Sequence, residues 1–389
     1  MKTLICIFWI FAAIVFYTYV GYGIVVWILV RIKERFHGRK ASSTSEEFPE
    51  VTLLIAAYNE EDIIDEKMMN CRSLNYPCDR LHITWVTDGS TDRTDERLSA
   101  YRDVTIIHED GRKGKTAALN HAMRHISTPL VIMTDANTKL NSDAVINIVR
   151  RFDDPEVGCV AGEKRVAGVG RNAADTEGIY WKYESFLKEM DDRLYSTQGA
   201  AGELFAIRRN LWEEMPEDTL LDDMMCSMSI AAKGYRIAYC KEATSTETPS
   251  ANVLEEGKRK IRISAGGFQL TWRLRHLLNP FRYGMLTFQF FSHRVLRWIV
   301  SPSLLALLIV LNAAMIILGA GQFYSFTMVC QAIFYACAYA GWKSDRRGHT
   351  IKVLSVPYYF VFMNFSTFRG LIYYINGISS GAWTKAQRA

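Results

Sequence analysis

Two long stretches without a charged residue bound what this chain can fold into. The first runs from Leu4 to Val30 and the second from Trp298 to Trp342. At about 1.5 Å per helical residue, a helix over the first stretch exceeds the roughly 30 Å hydrocarbon core of a bilayer. A cleavable signal peptide has a shorter apolar region, about 7–15 residues, and ends at small residues. This stretch ends in Arg31-Ile32-Lys33-Glu34-Arg35, so residues 1–30 are expected to form an uncleaved transmembrane anchor. The second stretch fits two spans joined by a tight turn at Gly319-Ala320-Gly321-Gln322.

Basic residues follow both stretches: Arg31, Lys33, Arg35, Arg39 and Lys40 after the first, Lys343, Arg346, Arg347 and Lys352 after the second. The positive-inside rule puts both clusters in the cytoplasm. The expected arrangement is an integral protein of a bacterial-type inner or plasma membrane, with its N-terminus outside and its soluble region in the cytosol. The net charge of +5 is modest. Its basic residues flank membrane segments and do not interleave with aromatics on a soluble face, which argues against a nucleic-acid partner. Eight scattered cysteines form no C-x-x-C pair, as expected of free, mostly buried thiols in a reducing compartment. Val353–Ile378 carries Pro357, Asn364, Arg369 and Asn376 among many aromatics. A central arginine costs at least ~2.5 kcal/mol in a lipid-exposed span, so this segment is expected to lie in the interface or to re-enter. Residues 279–296 are a second candidate interfacial helix.

Residues 31–49 form a basic juxtamembrane linker, small and polar from Ala41 to its proline at Pro49. From residue 50 to 275 the pattern is that of a soluble α/β domain. Short buried strands are predicted over Val51–Ala57, His82–Thr87, Val104–His108 and Leu130–Thr134. Helical spacing fills Glu60–Ser73, Arg93–Arg102 and Gly114–Ile126 between them. Such alternation implies a mixed, mostly parallel sheet with helices on both faces. Further strands are predicted over Val157–Ala161, Glu203–Arg208 and Arg236–Cys240, with a long aromatic-rich helix over Ala174–Leu194. Residues 276–389 hold the interfacial helices and the remaining membrane region.

Ligands of such sheets bind beyond the carboxyl ends of the strands, and acidic residues recur there. Asp88 follows one strand in Asp88-Gly89-Ser90-Thr91-Asp92, Asp135 another in Asp135-Ala136-Asn137, and Glu60 a third in Ala57-Tyr58-Asn59-Glu60-Glu61. Asp222-Asp223 opens a later helical stretch. Singly, each is also a common turn or helix cap. Together at one edge they suit a hard divalent cation, Mg2+ or Mn2+, and a nucleoside. Asp135 and Asn137 offer oxygens two residues apart for the metal. Gly111-Arg112-Lys113-Gly114-Lys115-Thr116 resembles a phosphate-cradling turn at a helix N-terminus, where Lys115 would face a diphosphate; a solvated basic loop is the alternative. Arg259 and Arg262, three apart, share one helix face and suit phosphate through their planar forks.

In order, these motifs resemble those of the family 2 glycosyltransferases, in the membrane-integrated branch of cellulose, chitin and hyaluronan synthases. The resemblance runs from about Val51 to Phe268. It rests on Ala57-Tyr58-Asn59-Glu60-Glu61, Asp88-Gly89-Ser90-Thr91-Asp92, Gly114-Lys115-Thr116-Ala117-Ala118-Leu119-Asn120, Asp135-Ala136-Asn137, Gly199-Ala200-Ala201-Gly202-Glu203, Leu221-Asp222-Asp223 and Arg259-Lys260-Ile261-Arg262. The tail Trp383-Thr384-Lys385-Ala386-Gln387-Arg388 is similar to the endings of many members. The resemblance implies a GT-A fold and inverting transfer from a nucleotide sugar, usually a uridine diphosphate sugar, to a hydroxyl of a glycan or lipid-linked acceptor. By it, Ala57, Asn59, Glu60 and Asp88 would contact the nucleotide. Lys115, Asp135, Arg259 and Arg262 would meet its diphosphate end. Asp135 with Asn137 would hold the metal, Gly202, Glu203 and Asp222 would line the acceptor site, and Asp223 would be the catalytic base. The chain departs from the family pattern twice. Asn137 stands where a second carboxylate is usual, and Arg259 and Ile263 replace the glutamine and tryptophan of Q-x-x-R-W, which bears on processive polymerisation.

Overall fold

A computed structural model describes residues 1–38, 48–109, 111–167, 174–248, 253–347 and 351–377. Helices α1 (Lys2–Phe16) and α2 (Tyr22–His37) are continuous through a π-helical turn at Tyr17–Gly21. An α/β region follows: β1 (Val51–Ala57), α3 (Ile64–Arg72), β2 (Leu81–Asp88), α4 (Thr94–Ser99), β3 (Thr105–Glu109), α5 (Lys115–His125), β4 (Leu130–Asp135), β5 (Thr138–Leu140), α6 (Ala144–Val149), β6 (Val157–Val166), α7 (Ala174–Leu194), β7 (Leu204–Arg208), α8 (Asp222–Ala232), β8 (Arg236–Glu247) and α9 (Val253–Arg273). The chain then forms α10 (Pro280–Tyr283), α11 (Met285–Gln289), a π-helical segment (Phe290–Val300), α12 (Ser301–Ile317), α13 (Gln322–Asp345) and α14 (Lys352–Ile375).

The sheet has eight strands in the order β3-β2-β1-β4-β7-β6-β8-β5. β3, β2, β1 and β4 are parallel, β7 is antiparallel to β4 and β6, β8 is parallel to β6, and β5 is antiparallel to β8. It is the expected mixed, mostly parallel sheet. Side chains alternate across it with period two. Val51, Leu53, Ile55 and Ala57 pack with α3 and α6 on one face, whereas Leu54 packs with α5 and α8 on the other. Each fully buried leucine or isoleucine contributes roughly 1.5–3 kcal/mol.

The register brings functional ends together. Ala56 pairs with Asp135, Ala57 with Thr87, and Asp88 with Glu109, so the carboxyl ends of β1, β2 and β4 share one edge. Because β7 runs the other way, Thr134 pairs with Leu204, and Glu203, just before β7, arrives at that same edge.

Among the described residues, three helical stretches are long and apolar enough to cross a membrane: Lys2–Phe36, Met285–Ile317 and Gln322–Asp345. The expected break between the last two is confirmed by Gly319 and Gly321, both at positive φ. Of the candidate interfacial helix over 279–296, Pro280–Tyr283 forms a short separate helix, and residues 285–296 continue without a break into Ser301–Ile317. Val353–Ile375 is helical despite Pro357, lies outside those three stretches, and packs on α9 and α13. Strand β5 was not anticipated, being three residues long. The cysteines are free among the described residues, with Cys71, Cys159, Cys226 and Cys240 buried but Cys6, Cys78 and Cys330 exposed. Most of the linker and the tail Trp383–Arg388 lie outside the described residues.

A buried polar cluster joins the helices to the α/β region. Asp191 of α7 accepts from Tyr22 of α2 and lies 2.6 Å from His293 Nδ1. Gln289 donates to the Asp191 carbonyl at 2.9 Å. Glu184 accepts from Arg294 at 3.0 Å and from Arg297 at 2.9 Å. Arg294 also donates to the Gln198 carbonyl at 2.8 Å, so the second apolar stretch holds the loop that leads to Gly202 and Glu203. α9 closes the same side by glycine-mediated approach. A Cβ on Gly266 would lie 2.5 Å from Leu221, one on Gly267 2.8 Å from Trp298, and Gly370 of α14 fits against Ser264 just as closely.

Candidate active site

The loops after β1 and β2 are stitched to each other. Asn59, at φ 55, accepts from the Thr91 amide at 2.8 Å. The Glu60 amide donates to Thr94 Oγ1 at 2.8 Å, and the Glu61 amide to Asp92 at 3.2 Å. Asn tolerates the left-handed conformation better than most side chains. Ala57 and Glu60 are buried at this junction.

Asp88 performs a job the sequence reading did not assign. Its buried carboxylate accepts the amides of Lys113 at 2.8 Å and Gly114 at 2.9 Å. Those amides were the expected phosphate cradle; here they are spent on Asp88, which shapes the turn from below. Gly89 permits this closeness, since it has φ +61 and a Cβ there would lie 2.5 Å from Gly111. Burial raises the Asp88 pKa, and the two amides oppose the rise. Arg112 covers the turn, stacked 4.0 Å over Tyr58.

Lys115, the first residue of α5, is the centre of the site. Its Nζ lies 2.7 Å from Asp135 Oδ1 and 3.7 Å from Asp222 Oδ2. Burial works against its charge, but Asp135, Asp222 and Asp223 outweigh it and hold the ammonium above the usual lysine range. Gly202 adjoins both partners. A Cβ there would be 3.5 Å from Asp223 Oδ2 and 3.6 Å from Lys115 Nζ. Asp223 opens α8 and accepts the Met224 amide at 2.8 Å. Burial first, then the neighbouring Asp222, pushes its pKa up to about 7. Arg262 faces the same three carboxylates; burial pulls its pKa down while they oppose that.

Glu203 and Arg259 form a neighbouring cluster. Glu203 pairs with buried Lys164 and, at 3.1 Å, with Arg259. Lys164 also pairs with Glu247, and Arg259 lies 3.6 Å from Glu247 and 3.7 Å from Glu256. Lys164 and Arg259 outweigh burial and hold Glu203 well below the usual carboxylate range. The two arginines expected over a diphosphate differ in their surroundings: Arg259 pairs with the glutamates, while Arg262 lies within electrostatic reach of the aspartates.

Two lysines went unnoticed in the sequence. Lys164 is one. The other is Lys67 of α3, whose buried ammonium donates to the carbonyls of Asp135 at 2.9 Å and Thr138 at 2.7 Å, setting the turn that carries Asn137. Lysine one turn from acidic first-turn residues reads as a solvated helix face, and only the tertiary fold reveals its burial. Among the described residues, no group of three or more His, Cys, Asp or Glu side chains is disposed to hold a metal ion. Asp135 and Asn137 offer hard oxygens that suit Mg2+ or Mn2+, provided most ligands come from phosphate and water.

Residues 52–215 match the family model described as Glycosyl transferase family 2. Over that region the chain is similar to the family 2 glycosyltransferases. The chain is 24% identical over 243 residues to a poly-beta-1,6-N-acetyl-D-glucosamine synthase of Staphylococcus aureus, a match covering 60% of this chain and 58% of that one. It is 25% identical over 242 residues to a beta-monoglucosyldiacylglycerol synthase of Synechocystis, covering 57% and 48%. The chain therefore spans under two thirds of the length of these curated relatives. Among solved structures, a mannosyltransferase from Pyrobaculum calidifontis in complex with GDP-Man and Mn2+ superposes with a TM-score of 0.67 at 22% identity, over 94% of this chain and 99% of that one. That likeness establishes the fold, with its GT-A-like sheet, over nearly the whole chain.

Proposed function

We propose that the chain transfers a sugar, with inversion, from a nucleoside diphosphate sugar (a uridine diphosphate sugar in the first instance) to a hydroxyl of a glycan or lipid-linked acceptor. The reaction takes place at the cytoplasmic face of a membrane that residues 1–30 and 276–389 enter. The observation that carries this reading is the convergence of Asp135, Lys115, Asp222, Asp223 and Arg262 beside Gly202 at one edge of the sheet.

Asp223 takes the proton from the attacking hydroxyl. A carboxylate with a pKa near 7 is matched to that task at neutral pH. Gly202 lacks a side chain beside Asp223, which leaves room for the acceptor. Arg262 supplies fixed positive charge where the diphosphate departs, and Lys115 adds a second cation. Asp135 and Asn137 would hold Mg2+ or Mn2+, which when bound neutralises charge on the leaving diphosphate. Glu203 and Asp222 complete the acceptor side. The relatives, a poly-beta-1,6-N-acetyl-D-glucosamine synthase and a beta-monoglucosyldiacylglycerol synthase, agree with either kind of acceptor.

The test is transfer from labelled UDP- and GDP-sugars with Mn2+ by the purified full chain in lipid vesicles. A product of inverted anomeric configuration, lost in Asp223→Asn while nucleotides still raise the melting point, is expected. Transfer undiminished in Asp223→Asn removes that residue from the role, and a product of retained configuration overturns the mechanism.

A further inference from the structure

Asp135 has two claimants. It is the carboxylate best placed for a divalent cation, and its Oδ1 is already bonded to Lys115 at 2.7 Å. The ammonium has a second place to go. Asp222 Oδ2 lies 3.7 Å from Lys115 Nζ and is a buried oxygen with no hydrogen-bond partner among the described residues. Buried carboxylate oxygens are rarely left without a donor, so this one is suited to receive the ammonium once Asp135 is given up. The site also lacks the means to hold a metal by itself, since no trio of ligating side chains is assembled among the described residues. Phosphate and water oxygens must complete any coordination there, and only phosphate brings charge to offset the cation.

We propose that Lys115 is an internal competitor for the metal site: it guards Asp135 against a divalent cation alone, and moves to Asp222 when a nucleoside diphosphate brings the cation with it. This rests on the donor-site reading above and adds an order of binding to it. Lys115 makes metal and nucleotide binding mutually dependent, because only the pair compensates the loss of its contact with Asp135. Asp222 makes the exchange feasible, since it offers the ammonium a second carboxylate inside the site. By linkage, the nucleotide tightens the metal by the same factor as the metal tightens the nucleotide.

The experiment is Mn2+ binding to the full chain in detergent, followed by the electron paramagnetic resonance signal of free Mn2+, with no nucleotide, with UDP and with GDP. Wild type should bind Mn2+ weakly alone and at least about tenfold more tightly with one of the diphosphates, within the usual 5–150-fold range of such coupling. Lys115→Gln should bind Mn2+ alone about tenfold more tightly than wild type, whereas Lys115→Arg, which keeps the charge, should not. Asp222→Asn should reduce the nucleotide-induced tightening severalfold. Melting curves confirm that each variant is folded, and Asp222→Asn provides an independent reading should Lys115→Gln fail to fold. Unchanged or weaker binding of Mn2+ alone by Lys115→Gln overturns the competition while leaving the donor site standing. No Mn2+ binding by wild type or Lys115→Gln under any condition overturns the donor-site reading and the competition with it.

Discussion

Lys67 on α3 donates to the backbone carbonyl of Asp135 on β4, 2.9 Å away, from a position with almost no solvent contact. The same ammonium reaches the Thr138 carbonyl and Thr134 Oγ1. Burial lowers its pKa to about 8, so it remains charged at pH 7. Lys67→Met would strand these acceptors, each costing about 1–3 kcal/mol. The expected result is a fall of several degrees in melting temperature in detergent and weaker Mn2+-dependent nucleotide binding, because the Asp135–Asn137 turn loses its anchor.

Asp223→Asn should lower kcat by roughly 10²–10⁴-fold, the usual range for general-base assistance, with nucleotide affinity unchanged. A general base acts deprotonated, so on the proposed role the Asp223 pKa near 7 sets the sign of the pH effect. kcat/KM should fall about tenfold per pH unit below 7 and level off above pH 8. A profile flat between pH 5 and 8 would contradict this assignment.

Lys164 stands between Glu203 and Glu247 with about 2% of its side chain exposed. Lys164→Met would leave two glutamates sharing Arg259. Breaking a buried ion pair on one side costs about 3–5 kcal/mol, so loss of thermal stability should exceed that of most single substitutions. Glu203→Gln should be milder, because Glu247 still accompanies Lys164.

Gly266→Val tests the contact between α9 and the segment before Asp222. The new Cβ would lie 2.5 Å from Leu221, and Gln269 of the same helix accepts from the Leu220 amide at 3.0 Å. Displacing this segment should reduce kcat at least tenfold with little change in nucleotide binding, as read by turnover and by equilibrium titration.

Much of this fold was legible because its strands are short, apolar and bounded by turn residues. β1 and α7 were located to the residue, and the four parallel strands to within one or two. Asp135, Asp222 and Asp223 were found from their position after strands and at a helix start. What the sequence hid was contact. Nothing near Lys67 or Lys164 announces burial, since each acquires its carbonyls or carboxylates from residues about 40 to 80 positions away. Asp88 and Arg259 were recognised as chemically apt, yet their partners inside the chain depend on how the Gly111–Gly114 turn and α9 pack. Residues 279–296 read as a separate interfacial helix, whereas residues 285–317 run as one helix in which Arg294 and Arg297 are matched by Glu184.

The consecutive glycines of α9 have a mechanical consequence. Gly266 lies against Leu221, two residues before Asp223, and Gly267 against Trp298 of the second apolar stretch, so backbone meets side chain on both sides without slack. On the proposed membrane placement, tilting that stretch is felt directly at Asp223. Turnover should therefore vary with the acyl-chain length of the surrounding lipid, and a Gly267→Ala variant should shift the preferred length; a rate indifferent to bilayer thickness would show that the joint slips.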